Sequence, residues 1–288
     1  MPGNALEIRL RPIAVDGVAL HCLEAGPDDG TPVIVLHGFP ECSYGWHRQL
    51  PALVAAGYRV IAPDQRGYNR SSKPRGATAY DLDALAADIL GLADRLQLGR
   101  VRLVGHDWGA SVAWWLATFH PERLDRIVVI NAPHPAQWRA AMRDDPAQRR
   151  KSWYVHAFRL PWLPEAAMRA GNFRALARGL VDSSRPGTFD EAQLARYREA
   201  WAQPGALTAM LNWYRALLRR RMPDRLPRIT VPVLMIWGVD DQFGERSVAQ
   251  ASIDQCDHGR VVYVDAATHW VHHEEPDRVN ALLLEFLR

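Results

Sequence analysis

The sequence predicts an α/β fold: a mostly parallel central sheet flanked by helices, with an all-helical lid inserted between two of its strands. Short apolar runs alternate with helix-periodic segments through the first 130 residues, the pattern of β-α-β units with helices on both faces. From Pro135 to Arg225 the alternation stops, and every segment reads as helix or loop. It then resumes to the end of the chain.

Each element follows from its own residues. Thr31-Pro-Val-Ile-Val-Leu-His37 is an apolar run ending in a Gly-Phe-Pro turn, and Tyr58-Arg-Val-Ile-Ala-Pro63 is another, ending at Asp64; both read as buried strands. Asp81 to Leu98 has alanines and leucines at helical spacing with Gly99 as its stop. Val101–Gly105 is a strand, Ala110–Phe119 a helix and Leu124–Ile130 a strand. After the helical block come strands at Val231–Trp237 and Arg260–Val264, and an amphipathic helix from Pro276 to Leu287. The expected division is a core of residues 1–135 and 226–288 with a lid of 136–225. Such a lid would cover the carboxyl edge of the sheet, where open α/β sheets bind ligands.

Composition narrows the function. The 288 residues carry 35 basic and 32 acidic side chains, a net +3, with 48% hydrophobic and 23% charged; this is globular and excludes intrinsic disorder. No apolar stretch approaches the ~20 residues that span a bilayer. The first thirty residues lack the apolar core of a secretory leader. Cys22, Cys42 and Cys256 are too few and too scattered for a disulfide framework or a zinc site. A cytoplasmic protein without membrane or nucleic-acid partners is expected, as a monomer or homodimer. Residues 135–225 hold 17 basic and 8 acidic side chains, a local +9. The arginines are scattered among apolar residues, as on solvated helix faces.

Val104-Gly-His-Asp-Trp-Gly-Ala110 lies between a strand and a helix with the G-x-Nuc-x-G spacing of a nucleophile elbow. Its centre is Asp107, where Ser or Cys is usual; an acidic helix N-cap is the plainer reading of that residue. Three further segments favour the nucleophile. His37-Gly-Phe-Pro40 follows an earlier strand, where Phe39, with Trp108 after the nucleophile, would supply oxyanion-hole amides. Trp237-Gly-Val-Asp-Asp241 and Ala267-Thr-His-Trp270 follow later strands, completing the order nucleophile, acid, histidine. Spacing alone does not separate Asp240 from Asp241.

With these segments and Asp64-Gln-Arg-Gly-Tyr-Asn-Arg-Ser71, Asn131-Ala-Pro-His-Pro135, Trp153-Tyr-Val-His-Ala-Phe-Arg-Leu-Pro161 and Leu211-Asn-Trp-Tyr-Arg215, the chain resembles the epoxide hydrolases of the α/β-hydrolase superfamily over nearly its whole length. The resemblance implies Asp107 as nucleophile, Asp241 as the acid three residues after Gly238, and His269 as base. It implies Tyr154 and Tyr214 as donors to the epoxide oxygen, and no cofactor. Asn69 replaces a glycine frequent in the family, and Asn tolerates a left-handed backbone.

The chemistry suits those residue types. A carboxylate can open a strained ring and form an ester; the alkoxide that leaves needs donors, which protonated phenols supply; the ester then needs water activated by a histidine with an orienting acid. The expected substrate is a small apolar epoxide, with water, in a pocket walled by His37, Pro40, Trp153, Phe158, Trp213 and Trp270. His269, His272 and His273 lack metal-ligand spacing, so no metal is expected. His37, His106 and His134 are expected to orient loops. The rival readings are a haloalkane or haloacid dehalogenase sharing the Asp nucleophile, and a non-catalytic receptor on the same fold. A halide needs N–H donors but no tyrosine pair. Fluoroacetate dehalogenases carry Arg where this chain has Trp108.

Overall fold

The computed structural model describes residues 7–219, 223 and 226–288. Residues 1–6 of the expected core, and the expected lid boundary at 225, lie outside the described residues. The chain starts with a hairpin that the sequence reading left unassigned, Ile8–Val15 (β1) and Val18–Ala25 (β2). Its two-residue turn is Asp16-Gly17 with φ of 34° and 84°, the paired left-handed positions that match the twist of a hairpin.

Then follow Thr31–Leu36 (β3), Leu50–Ala55 (α1), Tyr58–Pro63 (β4), Leu82–Arg95 (α2), Val101–His106 (β5), Trp108–Phe119 (α3) and Leu124–Ile130 (β6). Six helices come next: Pro135–Asp144 (α4), Pro146–Lys151 (α5), Trp153–Ala157 (α6), Leu163–Asp182 (α7), Glu191–Trp201 (α8) and Ala206–Arg219 (α9). Helix α7 is broken at Gly171–Phe173, where three successive residues have positive φ. The chain ends with Val233–Gly238 (β7), Arg246–Ile253 (α10), Gly259–Val264 (β8), Val271–Glu274 (α11) and Pro276–Phe286 (α12).

One eight-stranded sheet runs in the order β1-β2-β4-β3-β5-β6-β7-β8. The pairs β1/β2 and β2/β4 are antiparallel and the others parallel. The six strands read from the sequence are therefore the parallel part. Side chains alternate between its faces. Val33, Val35, Val104 and Val128 meet Leu53 and Leu283 on one side. Ile34, Leu36, Leu103 and Ile127 meet Leu85, Ile89 and Leu116 on the other. Burial on both faces is why the inner strands β3 to β7 read as apolar runs rather than alternating ones, while β8 at the edge is mostly half-buried.

The helices α4–α9 dock on the core through polar contacts as well as apolar ones. Tyr197 Oη donates to Glu41 Oε1 at 2.6 Å, Trp201 Nε1 to the Pro40 carbonyl at 2.6 Å, and Trp213 Nε1 to the Arg66 carbonyl at 3.0 Å. Trp270 Nε1 reaches Ser183 Oγ at 2.8 Å, and Gln148 Nε2 the Phe243 carbonyl at 2.8 Å. Each joins a residue of the helical segment to a loop at the carboxyl ends of β3, β4, β7 or β8. No helix among the described residues is long and apolar enough to cross a membrane.

Candidate active site

Asp107 sits between β5 and α3 at φ 49°, ψ −117°, a region that costs a non-glycine residue of order 1–3 kcal/mol. Its neighbours explain how the turn closes. A Cβ on Gly105 would lie 2.4 Å from the Gly109 carbonyl oxygen, and one on Gly109 only 2.1 Å from that of Leu36. The turn thus packs backbone on backbone, leaving the Asp107 side chain 21% exposed. The Phe39 amide, just beyond β3, donates to Asp107 Oδ1 at 2.7 Å. The other oxygen, Oδ2, lies 3.7 Å from His269 Nε2.

His269 follows β8 and Asp241 follows β7. His269 Nδ1 and Asp241 Oδ2 are 2.9 Å apart. A carboxylate accepts, so Nδ1 carries the proton and Nε2 turns its lone pair toward Asp107. Asp241 is fully buried and also accepts from Asn131 Nδ2 at 2.7 Å, the Phe243 amide at 2.7 Å and the Gly244 amide at 3.1 Å. Burial works against its charge, but the facing His269 and these donors hold its carboxyl below the usual value. For His269, burial disfavours the cation, and the Asp241 charge with its hydrogen bond outweighs that, so its pKa is raised above 6.5. Asp240, next to Asp241 in the sequence, is exposed, and its amide donates to the Ala267 carbonyl at 2.9 Å.

Tyr154 on α6 and Tyr214 on α9 stand with ring centroids 6.0 Å apart. Phe39 and Trp108 hold the Tyr214 ring edge-on at 5.4 and 5.0 Å. Burial first, and the Asp107 charge second, push both phenols above their ordinary value. Both therefore keep their protons, and can donate them in hydrogen bonds, at neutral pH. A cavity of about 790 Å³ opens onto Asp107, His269 and both tyrosines, and its wall is largely apolar. A smaller cavity of about 80 Å³ reaches the same four residues.

Of the expected pocket residues, Pro40, Trp153, Phe158 and Trp270 line the large cavity. His37 and Trp213 line neither, a correction to the sequence reading. Buried His37 accepts the Gln65 amide on Nε2 at 3.0 Å and gives its Nδ1 proton to the Gly38 carbonyl at 3.0 Å. The Trp213 indole is spent on the Arg66 carbonyl. His106 and His134 orient loops: His106 Nε2 donates to the His269 carbonyl at 3.0 Å, and His134 Nδ1 caps α4 by accepting the Ala136 amide at 3.1 Å. Asn69 has φ 42° and donates to Asp64 Oδ2 at 2.8 Å.

Glu41 and Phe243 were missed, and Asn131 stood only as part of a motif. Phe243 packs 4.9 Å from the His269 ring. Fully buried Glu41 gathers three of the chain's histidines. Its Oε1 meets His273 Nε2 at 2.7 Å, and its Oε2 lies 3.3 Å from His106 Nδ1 and 3.5 Å from His272 Nε2. Burial opposes its ionisation, yet the imidazoles hold its carboxyl well below the usual range. Glu41, His106 and His272 bring ligand-type atoms within 4.8 Å of one another. The sequence trio of His269, His272 and His273 is thereby divided: the first faces Asp241 and the others Glu41.

Comparison with known proteins places the chain in a family. Residues 31–276 match the family described as the α/β hydrolase fold. The chain is 46% identical to the AB hydrolase superfamily protein YfhM of Bacillus subtilis (strain 168), over 96% of each chain. It is 34% identical to epoxide hydrolase 2 of Caenorhabditis elegans, over 96% of this chain and 79% of that one. Among solved structures, a Bacillus megaterium epoxide hydrolase in complex with an inhibitor superposes with a TM-score of 0.88 at 29% identity, covering 96% of this chain and 99% of the other.

Proposed function

The chain belongs to the α/β-hydrolase fold family, in the branch that holds the epoxide hydrolases, and on that premise we propose that it hydrolyses an epoxide to a vicinal diol through a covalent ester on Asp107. One observation carries the reading: a carboxylate with one oxygen held by an amide and the other facing His269 Nε2 at 3.7 Å, set between a histidine–carboxylate pair and two protonated tyrosines.

In the first step Asp107 Oδ2 bonds to an epoxide carbon, the carbon–oxygen bond of the ring breaks, and the alkoxide takes a proton from Tyr154 or Tyr214. Aligned donors in a dry site are worth far more there than in water. In the second step His269 Nε2 removes a proton from water, whose oxygen attacks Asp107 Cγ. The charge that builds on Oδ1 falls to the Phe39 amide and to that of Trp108, which at the first turn of α3 has no partner within the helix. Collapse releases the diol, and the proton on His269 returns to the tyrosine by way of the product oxygen or water. Asp241 keeps the His269 proton on Nδ1 throughout. Helices α4–α9 act as a lid that carries the tyrosines and excludes bulk water.

A dehalogenase with the same nucleophile would have no use for two hydroxyls beside it. The test is diol formation from a panel of epoxides together with halide release from a panel of haloalkanes. Asp107→Ala should abolish diol formation in a folded protein. Tyr154→Phe and Tyr214→Phe should each slow ring opening about 100- to 1000-fold, the range for one lost oxyanion-type donor. Undiminished epoxide turnover in the double variant would remove the tyrosines from the mechanism.

A further inference from the structure

We infer that the substrates are terminal epoxides bearing one long or bulky apolar arm; this rests on the epoxide hydrolase reading and names the substrate class for the same site. The observation is the inequality of the two spaces that meet at the nucleophile. Asp107, Tyr154, Tyr214, Phe243 and His269 border both cavities, so a ring held there has a substituent directed into each. One space holds about 790 Å³ and the other about 80 Å³. The small branch therefore takes hydrogen or a short substituent, while the large one, about ten times roomier, takes an arm of many carbons.

The small branch is walled by Trp108, Ser111, Pro133, Trp138, Val155 and Leu217. Its walls are poorly placed to yield. The Trp138 indole donates to Ser152 Oγ at 3.3 Å, and fully buried Ser152 is held in turn by Gln148 Nε2 at 2.9 Å. Pro133 has a fixed backbone, and Trp108 is packed against Trp213 and Tyr214. The large branch runs the other way, between α6 and α7. Its outer wall includes Trp153, Leu160 and Leu163, exposed at 68%, 49% and 50%. A long arm entering it meets apolar surface along its length, and each added methylene should raise kcat/KM about three- to fourfold until the branch is filled.

The test uses two isomers of equal composition, 1,2-epoxydecane and trans-5,6-epoxydecane, whose intrinsic hydrophobicity is nearly matched. The first places hydrogens in the small branch and an octyl arm in the large one. The second must seat a butyl group in each. The expected kcat/KM ratio favours the terminal isomer by about 100-fold or more, because an arm that does not fit is refused by close packing. Trp138→Ala should enlarge the small branch and narrow that ratio at least tenfold. Leu217→Ala, on a different helix, makes the same test if Trp138→Ala does not fold. Ratios within about threefold in the unaltered enzyme, or a ratio unmoved by the folded variant, would overturn the inference while leaving epoxide hydrolysis in place. No turnover of either isomer, nor of 1,2-epoxypropane, by the folded enzyme would overturn the reading beneath it.

Discussion

Asp107 and Asp241 are both aspartates at the ends of parallel strands, and their surroundings suit them to opposite duties. Asp241 accepts four hydrogen bonds, from His269, Asn131, Phe243 and Gly244, which occupies about all the lone-pair sites of a carboxylate. Asp107 accepts one, from Phe39, which on the proposed mechanism leaves Oδ2 for attack. On the proposed mechanism the water step needs neutral His269, whose pKa is raised above 6.5 by Asp241. The rate of ester hydrolysis should therefore climb with pH along a limb centred above 6.5. Asp241→Asn removes the charge that holds the imidazolium, so the limb should move to lower pH while the plateau falls by about 10³- to 10⁴-fold. A limb that stays in place under pre-steady-state measurement would mean another group is titrating. Asn131→Ala takes a donor from buried Asp241 and should cost about 1–3 kcal/mol in urea unfolding. Sequence reasoning reached Asp107 and His269 because motifs of a few residues carry them, and it reached Asp241 through the spacing of a resemblance. Glu41 was illegible for a physical reason: Tyr197 and His273 are 156 and 232 residues away along the chain.

At the scale of elements, the strand–turn–helix around Asp107 depends on backbone proximity that only glycine permits. Gly109→Ala would put a methyl 2.1 Å from the Leu36 carbonyl oxygen, so β3 and α3 would have to separate. Overpacking of this kind costs about 3 kcal/mol or more. The thermal midpoint should fall and turnover should be lost with it, whereas Gly99→Ala, with nothing near its Cβ but a φ of +64°, should cost only about 1 kcal/mol of backbone strain. The inner parallel strands were legible because burial on both faces makes them apolar runs, and β8, half-buried at the edge, was legible from its own Val-Val-Tyr-Val run. The first hairpin was not read, since β1 has five exposed residues in a row and shows no buried run. Its signal was the Asp16-Gly17 pair, one of the strongest short-range hairpin markers. The segment from Pro135 to Arg219 was legible as helical and was expected to cover the carboxyl edge of the sheet, but the direction of each helix face was not legible. Which faces of α6, α7 and α9 turn to Asp107 follows from how the helices pack, which periodicity alone does not specify.

For the whole molecule, the charged and neutral groups buried between core and helices set an acid limit to stability. His47 and His134 are each pushed down to about 4 by burial, with His273 adding to the effect at His47. An imidazole neutral when folded and protonated when unfolded leaves stability full above about 6.5 and reduces it as pH falls toward the folded pKa. Glu41 and Asp241, held low when folded, act in the same direction below about 4.5. His269 acts oppositely, its contribution being present below 6.5 and lost as pH rises through its raised value. The urea midpoint should drop between pH 6.5 and 4.5, and a midpoint constant over that interval would contradict the burial of these imidazoles as neutral groups. On the proposed mechanism the whole arrangement delivers one covalent intermediate. His269→Gln removes the base of the second step and leaves the first intact. After a short exposure to a reactive epoxide, intact-mass spectrometry of this variant should find the protein heavier by one epoxide, with the added mass located on the peptide that contains Asp107. An unmodified mass, while the variant's ring-opening rate persists as diol formation, would show that water attacks the epoxide directly.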